Sequence, residues 1–320
     1  MSLMKIIEES DFVDLYVGDT YCDIKGLSGT SATRVSAPSE WADAVVALRL
    51  QCKETFAAEG DAEFSMIVGD VVFRVTQMCD VDNTDVFILR RSAAQIRALD
   101  SIGLPDHISK AVQDKERRGL VLIAGEMGAG KTSTAASIVR NWLLLHGGIG
   151  LTVEDPPETK LNGVHGLGRC IQVRASRKTG GYKEHMMRAM RSGADLILIG
   201  EIRNAETATE AVQAGVNGQR IFATIHAGDI GQAIQRLCSL CTVPDAYSVV
   251  ADGLAAIIFL SMERVPRQNA PGFSSRLLVK GLVLDADSKG IRTKIRTQQI
   301  ALIQQDVDIQ SRQVAWNQKK

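Results

Sequence analysis

Apolar runs alternate with stretches of helical spacing between about residue 104 and residue 262. The run LVLIA at Leu120–Ala124 predicts a buried strand, and the apolar runs that begin at Ile149, Leu196 and Ile221 predict three more. The helical pattern after the first run stops at Gly147. Strands that alternate with helices are typical of a parallel sheet covered by helices. We therefore expect an α/β fold for this part of the chain.

The first hundred residues show a different pattern, with short strands around one long helix. Helical spacing covers Trp41–Phe56, and Ser39 is the predicted cap of that helix. The alternation in VVFRVT places Arg74 on the opposite face of its strand from Phe73. Predicted strands lie at residues 12–17, 20–25, 32–35, 62–67, 71–78 and 84–90. This pattern predicts a small α+β domain over residues 1–100, followed by the α/β domain over residues 101–320.

Three further segments have patterns of their own. A helix is predicted from Asp106, its candidate cap, to the basic residues and glycine at residues 116–119. The run GLAAIIFLS at residues 253–261 is a core strand or a core helix, and the pattern leaves both open. Residues 276–313 are predicted to form an antiparallel pair of strands, RLLVKGLVLDA and IRTKIRT, followed by a polar helix.

A glycine-rich turn follows the strand at Leu120–Ala124. It matches G-x-x-x-x-G-K-[ST] between a strand and a helix, over Gly125, Glu126, Met127, Gly128, Ala129, Gly130, Lys131, Thr132 and Ser133. Glycine lets backbone N–H groups turn inward around a triphosphate, and the helix N-terminus favours an anion. Lys131 is predicted to reach the β- and γ-phosphates, and the Thr132 hydroxyl to bind Mg²⁺. The alternative is a plain glycine-rich turn with a chance lysine.

Carboxylates and a histidine follow the other predicted strands. Glu154 and Glu158 end IGLTVEDPPE, Glu201 follows LILIG, and His226 ends RIFATIH. Open α/β sheets bind ligands at the carboxyl ends of their strands. Glu201 is therefore predicted to polarise an attacking water, and Glu154 and Glu158 to hold Mg²⁺ through water or to orient that water. His226 is a candidate to bind a γ-phosphate.

Each of these residues also has a structural interpretation. Glu154 and Glu158 suit a solvated acidic loop, Glu201 a strand that ends in a surface carboxylate, and His226 a structural histidine. Arginines at residues 174, 177, 188 and 191 suit an anionic transition state. For Arg177 and Lys178 we favour a solvated basic helix face.

Composition narrows the class of protein. The chain has 320 residues with 37 basic and 37 acidic side chains, and this balance disfavours a nucleic-acid-binding protein. No apolar run approaches the roughly 20 residues of a membrane helix, and the acidic opening predicts no secretory signal. The six cysteines are predicted to be free thiols in a reducing compartment. Cys238 and Cys241 supply only half of the ligands that a structural zinc site needs.

Four stretches, in this order and spacing, resemble the secretion ATPase superfamily. They are GEMGAGKTST, TVEDPPE, ADLILIGEIRNAETATEAVQAG and FATIHAGD, which are similar to the family's Walker A motif, Asp box, Walker B motif and His box. Members power type II secretion, type IV pilus assembly and retraction, and type IV secretion or conjugation. DLYV at residues 14–17, FRV at 73–75 and SIGLP at 101–105 extend the resemblance towards the N-terminus. The layout is most similar to PilT-like retraction ATPases and to Dot/Icm and conjugation ATPases.

The resemblance implies a RecA-like P-loop NTPase domain preceded by a small PAS-like domain. It implies ATP hydrolysis with Mg²⁺ by a homohexameric ring. The ring would be cytoplasmic and reach the inner membrane through a platform protein of a pilus or secretion machine, with no direct nucleic-acid partner. Six residues receive catalytic roles by this resemblance: Glu201, Glu154, Glu158, His226, Arg74 and Arg90. The two arginines would reach the nucleotide phosphates from the N-terminal domain.

Departures from the family pattern leave the role of such a motor open. Assembly ATPases commonly carry a four-cysteine zinc subdomain, whereas this region offers only Cys238 and Cys241. Gly193–Asp195 replaces the usual Asp-Pro-Asp, and the ending expected of a retraction motor is absent. Two rival functions remain. Neutral charge argues against a nucleic-acid translocase, and the presence of both Lys131 and Glu201 argues against a nucleotide-binding scaffold ring without turnover.

Overall fold

A computed structural model describes residues 4–92, 95–176, 180–266 and 273–317. Its contacts divide the chain into two compact units. The first unit comprises Met1–Gln95, Asp155–Lys160 and Arg174–Tyr182, and the second comprises Ile96–Glu154, Leu161–Val173 and Lys183–Lys320. Two short segments beyond residue 150 thus belong to the first unit, which the sequence pattern did not suggest. The domain boundary at residue 100 stays a prediction.

The first unit is built on an antiparallel sheet and one long helix. Its elements are α1 (Lys5–Glu9), β1 (Asp14–Val17), β2 (Cys22–Lys25), β3 (Val35–Ser36), α2 (Ala42–Glu59), β4 (Glu63–Val68), β5 (Val71–Cys79) and β6 (Asp85–Ser92). The strands lie in the order β3-β2-β1-β6-β5-β4. Apolar residues of the sheet and of α2, among them Leu48 and Phe73, form its core. Ser39 does not cap α2, because a 3₁₀ turn at Ser39–Trp41 runs directly into the helix.

The second unit is a mainly parallel sheet with helices between its strands. Its elements are α3 (Asp106–Gln113), β7 (Gly119–Gly125), α4 (Lys131–His146), β8 (Gly148–Glu154), β9 (Gly163–His165), β10 (Gly168–Arg174), α5 (Gly181–Met190), β11 (Leu196–Ile199), α6 (Ala205–Val216), β12 (Arg220–His226), α7 (Ile230–Leu240), α8 (Ala246–Gly253), β13 (Leu254–Pro266), β14 (Phe273–Val283), α9 (Lys289–Arg296) and α10 (Ile303–Asn317). Strand order is β14-β13-β7-β12-β11-β8-β10-β9.

Parallel pairing explains the apolar runs of the sequence. The strands β13, β7, β12, β11 and β8 are neighbours in this order and run parallel to one another. Every residue of β7 is buried, because such a sheet has both faces covered. The carboxyl ends of β7, β12, β11 and β8 therefore lie along one edge of the sheet.

The helix α3 differs from its prediction at both ends. It ends at Gln113, and the predicted end at residues 116–119 is wrong. The backbone of Asp114 is extended, and its carboxylate accepts a hydrogen bond from the amide of Glu116 at 2.9 Å, which turns the chain towards β7. Asp106 is the first helical residue rather than the cap, a position that Pro105 occupies.

The segment IRTKIRT was predicted as a strand and is the helix α9. Ile291 and Ile295 are both buried. A spacing of four residues fits a helix face as well as an alternating strand, so the pattern alone did not separate the two. The strand β14 pairs instead with β13, from Ala256 opposite Val283 onwards. Residues 254–261 are therefore a strand, which decides the alternative that the sequence left open.

Gly215 allows α6 to lie directly against the backbone of neighbouring elements. A Cβ atom built on Gly215 would come 2.7 Å from the carbonyl oxygen of Gly253 and 3.0 Å from the amide nitrogen of Leu120. We expect Gly215→Ala to lower the free energy of unfolding by about 1–3 kcal/mol, because backbone atoms cannot move aside easily. Urea unfolding followed by circular dichroism measures this loss.

The matched control is Gly290→Ala in the first turn of α9. No described atom lies within 4 Å of a Cβ built there. This substitution should be neutral or raise the free energy of unfolding by up to about 1 kcal/mol, since it restricts the unfolded chain. Equal effects of the two substitutions would contradict the close packing at Gly215.

Candidate functional site

The loop between β7 and α4 depends on glycine at three positions. Gly125 pairs with Leu260 of β13, and a Cβ on Gly125 would come 2.4 Å from the Leu260 carbonyl oxygen. Gly128 and Gly130 have φ angles of 76° and 86°, in the left-handed region that favours glycine. Gly130 is also the N-cap of α4. The loop therefore turns sharply from a buried strand into a helix N-terminus, which is a geometry suited to anions.

The other loop residues differ in burial. Glu126 and Met127 are exposed, and Ala129 is 3% exposed and packs in the core of the second unit. Thr132 and Ser133, in the first turn of α4, are partly exposed. These two residues thus lie partly exposed in the first turn of α4, and Ala129 anchors the loop to the core.

Lys131 is the best-buried charged residue of the loop. Its side chain lies in the second unit with 8% of its surface exposed. Its Nζ donates to the carbonyl oxygens of Gly125 at 3.0 Å and Glu126 at 2.8 Å, and lies 3.2 Å from Nδ1 of His226. A buried ammonium is costly unless hydrogen bonds satisfy it. The loop carbonyls and the histidine supply those bonds.

His226 and Glu201 continue this chain of contacts. His226 ends β12 directly beside Gly125, and β11, which precedes Glu201, is the next strand of the sheet. Nε2 of His226 lies 3.3 Å from Oε1 of Glu201, and Nε of Arg203 donates to the other carboxylate oxygen at 2.7 Å. The structure thus joins four side chains at the ends of three neighbouring strands: Lys131, His226, Glu201 and Arg203. We call this the Lys131–Arg203 chain.

Arg203 is the one member of the Lys131–Arg203 chain to which the sequence analysis gave no role. It lies two residues after Glu201 in GEIR, and this spacing was the available signal. A β-strand would place residues 201 and 203 on one face, but the chain leaves the sheet after Ile199. Only the folded loop brings the guanidinium group onto the carboxylate.

The electrostatic surroundings of His226 favour its neutral form. Burial lowers the pKa of His226 below its ordinary value, and the positive charge of Lys131 lowers it further, whereas Glu201 acts in the opposite direction. An ammonium can only donate, so Nδ1 of the neutral ring must accept from Lys131. The ring proton is then on Nε2, the atom that lies next to the carboxylate of Glu201. His226 therefore connects a cation to a carboxylate without carrying charge itself.

Glu154 lies at the end of β8, one strand further along the sheet. It is 3% exposed and accepts hydrogen bonds from the Thr152 hydroxyl at 2.8 Å and the Gln172 amide at 2.9 Å. The amide of Gly200 donates to the carbonyl oxygen of Val153 at 2.8 Å, which ties the end of β8 to the loop that carries Glu201. Glu154 therefore shares the sheet edge with Glu201, as the predicted strand ends imply.

The remaining predicted residues belong to the first unit. Arg74 and Arg90 are directly opposite each other on β5 and β6. Arg74 lies 3.5 Å from Glu158 and 3.2 Å from Glu63. Arg90 donates to the buried carboxylate of Asp14 at 2.8 Å, and this bond raises the pKa of Arg90. Glu158 is therefore grouped with the two arginines, and Glu154 with Glu201 and His226.

The arginines between the motifs differ in their surroundings. Arg174 contacts Glu59 and donates to the carbonyl oxygen of Glu63, within the first unit. Arg188 pairs with Glu184 on α5 at 2.9 Å, and Arg191 is exposed. Arg177 and Lys178 lie outside the described residues.

The described residues hold no cluster of three or more histidine, cysteine, aspartate or glutamate side chains arranged for a metal ion. Cys238 and Cys241 are buried free thiols, and burial raises their pKa values to about 12 and about 11. No helix within the described ranges has the length and apolar character to span a bilayer.

A family model described as "Type II/IV secretion system protein" matches residues 48–272. This chain belongs to that family. Among individual members, the type IV pilus retraction ATPase PilT of Pseudomonas aeruginosa is 30% identical over 179 residues, which are 53% of this chain and 49% of PilT. The type II secretion system protein HxcR of the same organism is 33% identical over 159 residues, 49% of this chain and 32% of HxcR. The chain thus spans about a third to a half of these relatives.

Solved structures of the pilus retraction motor PilT and of the ATPase DotB share the fold. A crystal structure of the pilus retraction motor PilT with bound ADP has a TM-score of 0.74 at 21% identity and covers 95% of this chain and 89% of the PilT chain. The Legionella pneumophila ATPase DotB has a TM-score of 0.72 at 18% identity, over 95% of this chain and 87% of its own. These values establish the mixed α/β fold of the type II/IV secretion family for this chain.

The titration of His226 tests the Lys131–Arg203 chain. We expect an NMR pH titration of the imidazole to give a pKa below that of an unperturbed histidine. The free energy of unfolding should then decrease as the pH falls from this ordinary pKa through the lower pKa of the folded state. Lys131→Met should raise the pKa of His226, because a repelling charge is lost, and Glu201→Gln should lower it further. His107, whose pKa burial also lowers, should not respond to either substitution and serves as the control. Shifts of His226 in the same direction for both variants would contradict the contacts.

Proposed function

We propose that this chain is an Mg²⁺-dependent ATPase that hydrolyses ATP at the loop of residues 125–133. The observation that carries the proposal is the Lys131–Arg203 chain at the carboxyl edge of the parallel sheet, in a protein of the type II/IV secretion family. Several named relatives, including PilT and the assembly protein PilB, are described as ATPases. The crystal structure of the pilus retraction motor PilT contains bound ADP.

The loop suits a nucleotide in its shape and charge. A Cβ atom on Gly128 would meet no described atom within 4 Å, so the turn is open on that side. Backbone N–H groups and the N-terminus of α4 would hold the β-phosphate, and Lys131 would reach the β- and γ-phosphates. Phosphate oxygens are stronger acceptors than the carbonyl oxygens that Lys131 now binds, since charged partners strengthen a hydrogen bond.

The Thr132 hydroxyl would hold Mg²⁺ together with phosphate oxygens and water. Magnesium commonly keeps several waters and needs few protein ligands. The ion would neutralise charge that develops on the phosphates. Glu154 is a candidate to hold one of its waters, because its carboxylate lies at the same sheet edge.

Glu201 is proposed as the catalytic glutamate. Hydrolysis of a phosphoanhydride depends mainly on positioning and on charge stabilisation, so a carboxylate that orients and polarises water is sufficient. Arg203 and His226 hold the two carboxylate oxygens of Glu201. When Lys131 moves its hydrogen bonds to phosphate, His226 loses its cationic partner on one side. The ring can then report the state of the nucleotide to Glu201.

Arg74, Arg90 and Glu158 are proposed to act on the same nucleotide from the N-terminal unit. Their proximity within the first unit supports a shared role. Both arginines would have to exchange carboxylate partners for phosphate, Arg90 its contact with Asp14 and Arg74 its contacts with Glu63 and Glu158. We also propose that the first unit is PAS-like, the second is RecA-like, and the domains meet near residue 100.

As a whole, we propose a homohexameric motor of a type IV pilus or of a type IV secretion or conjugation apparatus. Relatives named as a pilus retraction ATPase, a pilus assembly ATPase and a type II secretion system protein support this class. The ring would work in the cytoplasm and reach the inner membrane through a platform protein. The names of the relatives include retraction, assembly and secretion. We therefore propose only the motor function that these roles share.

Substitution of Glu201 tests the catalytic assignment. We expect Glu201→Gln to reduce the ATPase turnover number at least about a hundredfold while the Kd for ATP changes by less than about threefold, because the amide cannot polarise water. Glu206→Gln is the matched control. Glu206 lies on α6, is exposed, and forms a salt bridge with Lys183 of α5. Steady-state ATPase rates and equilibrium binding separate the two effects. Normal turnover in Glu201→Gln would remove Glu201 from the mechanism.

The concentration dependence of activity tests the ring. If subunits complete one another's sites, specific ATPase activity should rise steeply with protein concentration and level off as the hexamer forms, in parallel with mass measured by light scattering. Activity that stays constant while the mass changes from monomer to hexamer would refute shared sites.

A further inference from the structure

Arg97 lies on a short segment that the second unit holds firmly. Ile96 packs against the core of that unit, and Leu99 and Ile102 are each 4% exposed within it. A 3₁₀ turn at Leu99–Ile102 follows, and this turn lies beside α4. Arg97 is therefore placed between two apolar anchors of the same unit that carries the nucleotide loop. Its backbone position is set by the core.

The guanidinium group of Arg97 lies at the nucleotide loop. A Cβ atom built on Gly130 would have Nη2 of Arg97 at 3.8 Å, and no other described atom lies within 4 Å of that point. Gly130 is the last loop residue before Lys131 and caps α4. Arg97 thus extends over the helix N-terminus, where the backbone amides favour an anion.

The positive charge of Arg97 is available to an anionic ligand. Arg97 is exposed, and within the described ranges its side chain makes no hydrogen bond or ion pair. A cation beside a helix N-terminus and near Lys131 is unfavourable on its own. Arg90 and Arg203, by contrast, are each paired with a carboxylate. A bound phosphate would satisfy Arg97, Lys131 and the helix terminus together.

We propose that Arg97 binds the nucleotide through the phosphates that ATP and ADP share. The inference rests on the proposed nucleotide binding at residues 125–133 and adds a residue that neither the loop motif nor the family resemblance assigns. Arg97 differs from Arg74 and Arg90, because it belongs to the same unit as the loop. Guanidinium groups bind phosphate oxygens with two parallel N–H donors, which suits this position.

Calorimetric titration of the full chain tests the proposal. ADP and a non-hydrolysable ATP analogue are titrated into the parent, Arg97→Ala, Arg97→Lys and Arg118→Ala. We expect Arg97→Ala to raise both Kd values about tenfold or more and by equal factors, since a shared phosphate loses a charged hydrogen bond. Arg97→Lys should recover part of the affinity, because it keeps the charge but not the paired donors.

Arg118→Ala is the matched control. Arg118 is also exposed and donates to the carbonyl oxygen of Lys115, but it precedes β7, whereas the loop follows the other end of that strand. Its Kd values should stay within about twofold of the parent. The loss in Arg97→Ala should also shrink at high salt, because screening weakens a phosphate contact. Apo unfolding curves that match the parent establish that each variant is folded.

Three results would overturn the proposal, and they differ in what else they affect. Unchanged Kd values in Arg97→Ala, with a parent that binds both nucleotides, refute the role of Arg97 alone. If Arg97→Ala also weakens the binding of adenosine tenfold, Arg97 contacts the base or ribose instead of the phosphates. A parent chain that binds neither nucleotide would refute this inference together with the proposed function.

Discussion

The buried ammonium group of Lys131 is the interaction on which the rest of the site depends. It lies at the junction of β7 and α4, where the helix N-terminus makes a cation unfavourable. Loop carbonyls and His226 satisfy it, and His226 transmits this contact to Glu201 and then to Arg203. A change at one member alters the hydrogen bonds of the next. The site is therefore a connected network that runs from the Lys131 cation to Arg203, and not a set of independent residues.

The sheet determines which residues can join this network. Parallel pairing brings the ends of β7, β12, β11 and β8 to one edge, so residues far apart in sequence become neighbours. Gly125 and His226 are separated by about a hundred positions in the chain but are partners in the sheet. The ladder between β7 and β12 thus sets the distance from the loop to His226. Burial on both faces makes these strands rigid supports for polar side chains at their ends.

The first unit has its own charged centre. Asp14 is 1% exposed and is bound by Arg90, and Arg74 lies across the sheet beside Glu158 and Glu63. A buried carboxylate needs such a partner, because isolated burial of its charge is costly. Arg90 therefore contributes to the structure of the first unit whatever its role towards a nucleotide. The resemblance assigned Arg90 to the phosphates alone and did not indicate its structural contact with Asp14.

The local sequence pattern was sufficient to predict the elements whose residues alone specify their structure. The loop of residues 125–132, the buried strand before it and the apolar strands that precede Glu201 and His226 follow from spacing and apolar runs alone, since glycine geometry and burial act over a few residues. Ambiguous patterns gave wrong predictions: the segment IRTKIRT is a helix, and α3 ends before its predicted end. Residue spacing permits a helix or a strand equally in such segments, and strand pairing and turns in the folded protein decide between them.

Only the tertiary structure decided which side chains meet. It added Arg203 to the Lys131–Arg203 chain and brought Arg97 to the loop. It also assigned Glu158 to the first unit and Glu154 to the second. These contacts join segments whose separation in sequence carries no distance information. They depend on the order of strands in the sheet and on the conformation of the loops that follow the strands. Neither feature produces a periodic pattern in the sequence.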